Sequence, residues 1–479
     1  MPVSLAGAAS YPPAPMPAVP NDHVADLEAA LLAITGDHTF KGAAIGIAIL
    51  DVDTGHYLAA SNEHEPLNPA SNAKLYTAAA ALATLHGDHR YETTLSGKTK
   101  GSAVTGPLVL RGHGDPSLRS SDLWELVQEL HARGIKRVDG DILVDQRFFD
   151  DQTTPPAFEQ QPNEWAAFRA PVSAIAVNEN TVTMTVRPTS EGGAAIVTFD
   201  PPGFVDVDGT VKTSEAGADT VGLALAPAGK RLSAKVSGAI AIDSKVARYT
   251  RRVDDPNLLA GFVLRSLLDD AHIEVTGEVK AGASNAGSIL ARHVSAPLGT
   301  LLYELGKVSD NFYAEMVFKS LGGEAKGRPA RSDAGAEIVA RWLTKVGAMD
   351  AGVVIKNGSG LFDSNRVTAA STAQLLRAAW RDPAVQNEFV AQLAIGGVDG
   401  TLRNRFPREK QRRAVRAKTG TLDDAIALSG YVLGPPGKAT LAFSIFFNGI
   451  EGKAHGARHA ADKLVELIAR RQWGDEPAR

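Results

Sequence analysis

The chain has 479 residues, of which 44% are hydrophobic and 22% charged, and it carries a formal net charge of −4. That length accommodates two or three domains with a sizeable core, while the slight negative balance argues against a nucleic-acid binder that works by broad charge neutralisation. There is no cysteine, which excludes disulfides, thiol nucleophiles, thiolate metal sites and a lipid-modified N-terminal cysteine, and no apolar run approaches the roughly 20 residues that cross a bilayer.

Residues 1–21 begin MPVSLAGAASYPPAPMPAVP, without the basic start and long apolar stretch of an intact signal peptide. They read as a flexible, Pro-rich leader of the kind left after a signal is removed. Ordered structure is expected from the capping pair Asn21-Asp22, ahead of the amphipathic helix HVADLEAALLAI. AAIGIAILDVDTGHYLAA then reads as two strands joined at the Asp53-Thr54-Gly55 turn. NPASNAKLYTAAAAL follows, a helix from Ala73 to about Leu85.

From 99 to 287 short alternating strands dominate: GPLVLRG, GDILVD, NTVTMTVRP, GAAIVTFD, LSAKVSGAIAI and IEVTGEVKA. Gly, Pro, Asp and Asn punctuate them, which predicts a mostly β insert of two subdomains. Helices return in LGTLLYELGKVSD, NFYAEMVFKSLGG and AGAEIVARWLTKVGA. Strands return in VRAKTGTL, AIALSGYVL and KATLAFSIFFNGI, and the helix GARHAADKLVELIARRQWG closes the chain. Strands at both ends with helices between them predict one α/β domain, 22–98 plus 288–479, whose halves meet around the 99–287 excursion.

Ser71 and Lys74 stand three apart on the Ala-rich helix and share a face, so the amine can reach the hydroxyl. A lysine base must be neutral, which burial and neighbouring cations favour. The helix N-terminus offers partial positive charge to an oxyanion. Taken alone, the pair reads more readily as a capped helix with a solvated lysine. Two further segments decide between these readings. Ser309-Asp310-Asn311 lies between two expected helices, and Lys418-Thr419-Gly420-Thr421 lies on a strand leading to a turn. S-x-x-K, S-D-N and K-T-G, in that order, resemble the motif trio of penicillin-binding proteins and serine β-lactamases.

The gap from Ser71 to Ser309 is more than twice that from Ser309 to Lys418, so the insert falls between the first two motifs. That arrangement resembles the class C type low-molecular-mass penicillin-binding proteins, the D-alanyl-D-alanine carboxypeptidase/endopeptidase family S13. PASNAKLYT, GHGDPSL, GDILVD, APVSAIAVNEN, SDNFYAEM, NGSGL, GGVDGTL and AKTGTL carry the likeness from about Asp22 to the C-terminus. The resemblance implies an α/β (α+β) serine β-lactamase/transpeptidase-like domain with a large β insertion. It also implies an exported, periplasmic or extracytoplasmic enzyme that needs no cofactor or metal. Its substrates would be peptidoglycan stem peptides ending in D-Ala-D-Ala, with D-Ala-diaminopimelate crosslinks as possible further targets, and β-lactams would be its covalent inhibitors.

On this resemblance Ser71 is the nucleophile and Lys74 its base. Ser309 relays a proton to the departing amine, tuned by Lys418, and Asn311 holds the substrate amide. Thr419 and Thr421 bind the terminal carboxylate, the backbone N–H groups of Ser71 and Thr421 form the oxyanion hole, and Gly420 keeps the approach along the strand clear.

His113, Asp399 and the Asn357-Gly358-Ser359-Gly360 loop read as turn-formers or site-shaping backbone. Asp145 reads first as structural, with a peptide amine as the alternative partner. The absence of an H-E-x-x-H pair argues against a zinc peptidase. Where relatives often read S-G-L-S-R, this chain has Ser359-Gly360-Leu361-Phe362-Asp363, and Asp363 would oppose a diaminopimelate carboxylate. Two rival functions remain at this stage. A β-lactamase of class A needs an E-x-x-L-N segment that is missing between 312 and 417. A catalytically silent wall-binding protein has no reason to keep the nucleophile and both lysines.

Overall fold

The computed structural model describes residues 25–284, 287–407 and 413–474. The leader 1–21 and the Asn21-Asp22 cap lie outside the described residues. The first described helix is Ala25–Thr35.

The two ends of the chain build one sheet. Ala44–Asp51 pairs antiparallel with Tyr57–Ser61 on one side and, along its whole length, with Leu441–Asn448 on the other. Ala425–Val432, Val415–Thr421 and the short Ala394–Ile395 continue the sheet antiparallel to its far edge. IGIAIL is apolar at every position because both faces are covered. Ile45, Ile47 and Ile49 meet the terminal helices through Leu31, Leu464 and Ile468. Ala48 and Leu50, on the opposite face by the period-2 rule, join the core around Leu75, Tyr76 and Phe318.

Ala73–Leu85 is the helix expected from the sequence. Its residues through Leu82 are all buried, and its alanines let neighbouring helices approach closely. Asn311–Lys326 and Ser332–Lys345 also form as expected. LGTLLYELGKVSD does not remain one α-helix: Leu298–Tyr303 widens into a π-helical turn, Glu304–Val308, and ends at Ser309 with φ 67°. Two further helices, Ala369–Arg381 and Gln386–Ala391, lie in the stretch left without assignment in the sequence.

The strands expected between 99 and 287 are present, but two helices accompany them, Ser120–Ala132 and Leu259–Asp270. Both bury leucine and valine stripes against a five-stranded sheet. That sheet includes Glu92–Gly97 and Ser288–Val294, which pair with each other and, through Glu92–Gly97, with Leu108–Gly112. Its strands therefore run from 92 to 294, a little beyond the span read from composition, because local pattern cannot reveal a strand's partner. A second, smaller core forms around Met184, Val186, Val211, Ala234 and Ile240.

Candidate active site

Ser71 lies on a single 3-10 turn, Ala70–Asn72, that feeds the Ala73–Leu85 helix. Asn68 braces this turn: its side-chain oxygen accepts from Ala70 N at 2.9 Å. Its backbone exchanges bonds of 2.6 and 3.1 Å with the Asn448 side chain at the end of the last strand. The nucleophile turn is thus tied to the sheet.

One helical turn on, Lys74 is fully buried. Its amine bonds Ser71 Oγ at 3.1 Å, Asn311 Oδ1 at 2.7 Å and the Ser359 carbonyl at 2.8 Å. An ammonium satisfies all three as donor. A neutral amine has two hydrogens and a lone pair, and of the three partners only the Ser71 hydroxyl can turn its own proton toward nitrogen. Burial pulls Lys74 down to about 7, against the opposing charges of Asp310 and Glu315. A proton transfer from Ser71 to Lys74 is therefore geometrically and energetically accessible near neutral pH.

Ser309 is held in the left-handed region by the π-helical turn behind it. That turn is anchored by Lys307, which bonds Asp399 Oδ2 at 2.7 Å and the Leu393 carbonyl at 2.9 Å. Lys418, also fully buried, reaches Ser309 Oγ at 2.7 Å and the Thr419 carbonyl at 2.8 Å. Burial and then the nearby Lys74 hold it well below an ordinary lysine. Asp310 caps the next helix through Tyr313 N at 2.8 Å. Its carboxyl is pushed up to about 6, first by burial and then by Glu179.

Ser71, Lys74, Ser309, Asn311 and Lys418 therefore come together as the sequence predicts. Thr419 lies beside them and bonds Thr401 Oγ1 at 2.9 Å, and Thr421 is exposed at the strand's end. Gly420 has a reason within the protein besides the expected one. A Cβ there would sit 2.9 Å from the Pro69 carbonyl and 3.0 Å from Ala70 Cβ, so the missing side chain lets the strand press against the nucleophile turn.

Several groups at the site carry no motif of their own. Glu315, fully buried, accepts from Gly358 N at 3.1 Å and Ser359 N at 2.8 Å. It thereby fixes the loop whose Ser359 carbonyl holds Lys74, and burial holds its carboxyl above its ordinary value. Its spacing of four from Asn311 on one helix was the available signal. Phe168, reaching in from the insert, accepts the other side of the Asn311 amide at 3.1 Å. Nothing in the local sequence announces it.

Asp399 serves as a turn-former, accepting from Ile395 N at 2.7 Å as well as from Lys307. Asp145 is buried between Arg111 and Arg147. Asp363 is paired with Arg366 and accepts from Asn68 Nδ2 at 3.2 Å, so its charge is already offset. Among the described residues, the one cluster of carboxylate and imidazole groups with metal-ligand proximity is Asp122, Glu125 and His293, on the insert and apart from this constellation.

Comparison with known proteins identifies the family and the fold. A family model for the D-Ala-D-Ala carboxypeptidase 3 (S13) family matches residues 27–471. The D-alanyl-D-alanine carboxypeptidase of Actinomadura sp. (strain R39) is 35% identical over 440 residues, covering 88% of this chain and 81% of that protein. The D-alanyl-D-alanine carboxypeptidase DacB of Haemophilus influenzae is 26% identical over 419 residues, covering 85% of this chain and 86% of its own. The crystal structure of penicillin binding protein 4 from the same organism superposes with a TM-score of 0.75 at 24% identity, covering 93% of this chain and 99% of that one. Its complex with a β-lactam superposes with a TM-score of 0.70 at 25% identity, covering 94% and 99%. The fold is the α/β serine β-lactamase/transpeptidase type.

Proposed function

Because this chain belongs to the D-Ala-D-Ala carboxypeptidase 3 (S13) family and is accordingly a serine D,D-peptidase, we propose that it cleaves stem peptides through an acyl-enzyme on Ser71, with Lys74 as the base. The observation that carries this reading is the three-way seating of the buried Lys74 amine on Ser71, Asn311 and Ser359.

Attack by Ser71 Oγ on the carbonyl of the penultimate D-alanine transfers the hydroxyl proton to Lys74. Collapse of the tetrahedral intermediate breaks the peptide bond, and the leaving amine takes a proton through Ser309, whose hydroxyl is held by Lys418. Water then attacks the ester and restores Ser71. Thr419 and Thr421, beside Lys418, receive the free carboxylate of the departing residue, which selects bonds next to such a carboxylate. The Ser71 and Thr421 N–H groups receive the oxyanion; losing one such donor typically costs about 10²–10³ in rate.

The same groups serve whether the departing amine is free D-alanine or the side-chain amine of a crosslink, so endopeptidase activity is part of the proposal. The relative's β-lactam complex supports β-lactams as covalent inhibitors of this chain too. A wall substrate implies work outside the cytoplasm.

The test is to incubate the protein and a Ser71→Ala variant with a fluorescent penicillin and with a diacyl-D-Ala-D-Ala peptide. The expected result is a long-lived adduct on Ser71, by intact mass, and D-alanine release by the wild type alone. Rapid hydrolysis of the penicillin without peptide cleavage would move the assignment to a β-lactamase. No adduct would leave a silent wall-binding protein.

A further inference from the structure

The Asn311–Lys326 helix bonds Lys74 at its start, and its 16 residues carry the chain on the order of 24 Å away. Just past its other end, the insert and Arg328 enclose a cavity of about 310 Å³ lined by Arg111, His113, Asp145, Arg147, Phe148 and Arg328. The proposed hydrolysis uses none of these groups.

The cavity is built around a buried charge. Asp145 is 3% exposed and accepts from Arg111 Nε at 2.7 Å and from Arg147 Nε and Nη2 at 2.9 and 3.1 Å. Both guanidinium groups are thereby fixed in orientation while Arg111 keeps its two terminal nitrogens unengaged and Arg147 keeps Nη1, among the described residues. Arg328 lies with its Cζ 5.0 Å from the Phe148 ring centroid and has no hydrogen-bond or ion-pair partner among the described residues. His113 packs edge-on to Phe148 at 5.3 Å. Burial, then Arg328, holds it below its ordinary value, so it adds a polar nitrogen rather than a further cation.

Three guanidinium groups against one carboxylate leave two positive charges uncompensated. Of the nearby acids, Glu92 pairs instead with Arg292 at 3.5 Å, and Glu324 pairs with none of the three arginines. Guanidinium forks held in place match the oxygens of a tetrahedral oxyanion. A single carboxylate would leave one of the two charges unmatched, whereas a phosphoryl group carries up to two.

We propose that this cavity is a phosphoryl-binding site in which Arg328, resting on the Phe148 ring, and the free edges of Arg111 and Arg147 hold the anion. The shared chemistry has two sources, a free phosphate or the terminal phosphomonoester of a larger molecule, each of which carries up to two charges, and the test separates them.

Calorimetric titration of the full chain with inorganic phosphate at about pH 8, where the anion carries two charges, gives saturable binding that sulfate displaces. Arg328→Ala and Arg147→Gln each weaken it about tenfold or more, the loss expected for one charge-assisted contact. Arg328 does not touch Asp145, so its removal leaves the fold intact, and unchanged acylation by penicillin verifies that. Tighter binding of glycerol 3-phosphate than of inorganic phosphate identifies a phosphomonoester as the source. Binding of inorganic phosphate but not of glycerol 3-phosphate identifies the free anion. Absence of saturable binding, or equal affinity in the wild type and both variants, would overturn the proposal and leave Arg111–Asp145–Arg147 as a structural ion triad.

Discussion

Lys74 Nζ stands 3.1 Å from Ser71 Oγ on a helix that excludes water from the lysine. Only the unprotonated amine accepts the serine proton, and burial brings its value down to about 7. A depressed lysine is charged below its folded value and neutral above it. Acylation by penicillin therefore rises with pH through about 7 and levels off above it, where an unperturbed lysine would place the limb near 10.4. Stopped-flow acylation rates across that range check this. A rate independent of pH between about 6 and 9 removes Lys74 from the role of base.

Asp399 connects two motifs that never touch it. It holds Lys307 at 2.7 Å, and Lys307 anchors the π-helical turn that presents Ser309. The same loop carries Thr401, bonded to Thr419. Asp399→Ala is expected to cost about 1 kcal/mol of stability. It should also slow acylation by about tenfold or more, since Ser309 loses its fixed place. Thermal unfolding and acylation rates measured together separate the two effects. A lowered melting temperature with an unchanged rate makes Asp399 structural alone.

The depth to which the sequence was legible follows from how local each signal is. The strands IGIAIL and AIALSGYV and the helix Ala73–Leu85 announce themselves by periodicity and turn chemistry within a few residues. Ser71, Lys74, Ser309, Asn311 and Lys418 are legible because three short motifs occur in one order. Phe168 is not, since its contribution is a backbone carbonyl delivered by the insert, and any residue type supplies one. The pairing of Glu92–Gly97 with Ser288–Val294 is equally hidden, because strand partnership is a long-range fact. The opposition expected from Asp363 is offset by Arg366, three residues on, in a stretch that is bend and bridge rather than helix, so no helical spacing announces the pair.

Gly420 tests how tightly the K-T-G strand must press on the nucleophile. A methyl group there meets the Pro69 carbonyl at 2.9 Å and Ala70 Cβ at 3.0 Å, and neither can retreat, since Asn68 ties that turn to Asn448. Gly420→Ala should destabilise by about 1–3 kcal/mol and lower acylation by about 10², the usual effect of an ångström of misplacement. A variant that acylates at the wild-type rate would show that the strand and the Ser71 turn have room to separate.

Glu315 stands behind the site without facing the substrate, and its two roles predict different readouts. As an acceptor for Gly358 N and Ser359 N it holds the loop that seats Lys74. Glu315→Gln keeps one acceptor oxygen and sets an amide N–H₂ against the other donor, a loss of about 1–3 kcal/mol. As a negative charge it raises the Lys74 value, so its neutralisation makes Lys74 lose its proton at lower pH. The limb of the acylation profile in Glu315→Gln should therefore move acidward of the wild-type limb. Chemical denaturation reports the first role and the pH profile the second. Lost stability with an unmoved limb assigns Glu315 to the loop alone, while a limb that moves toward alkaline pH contradicts the sign of the charge argument.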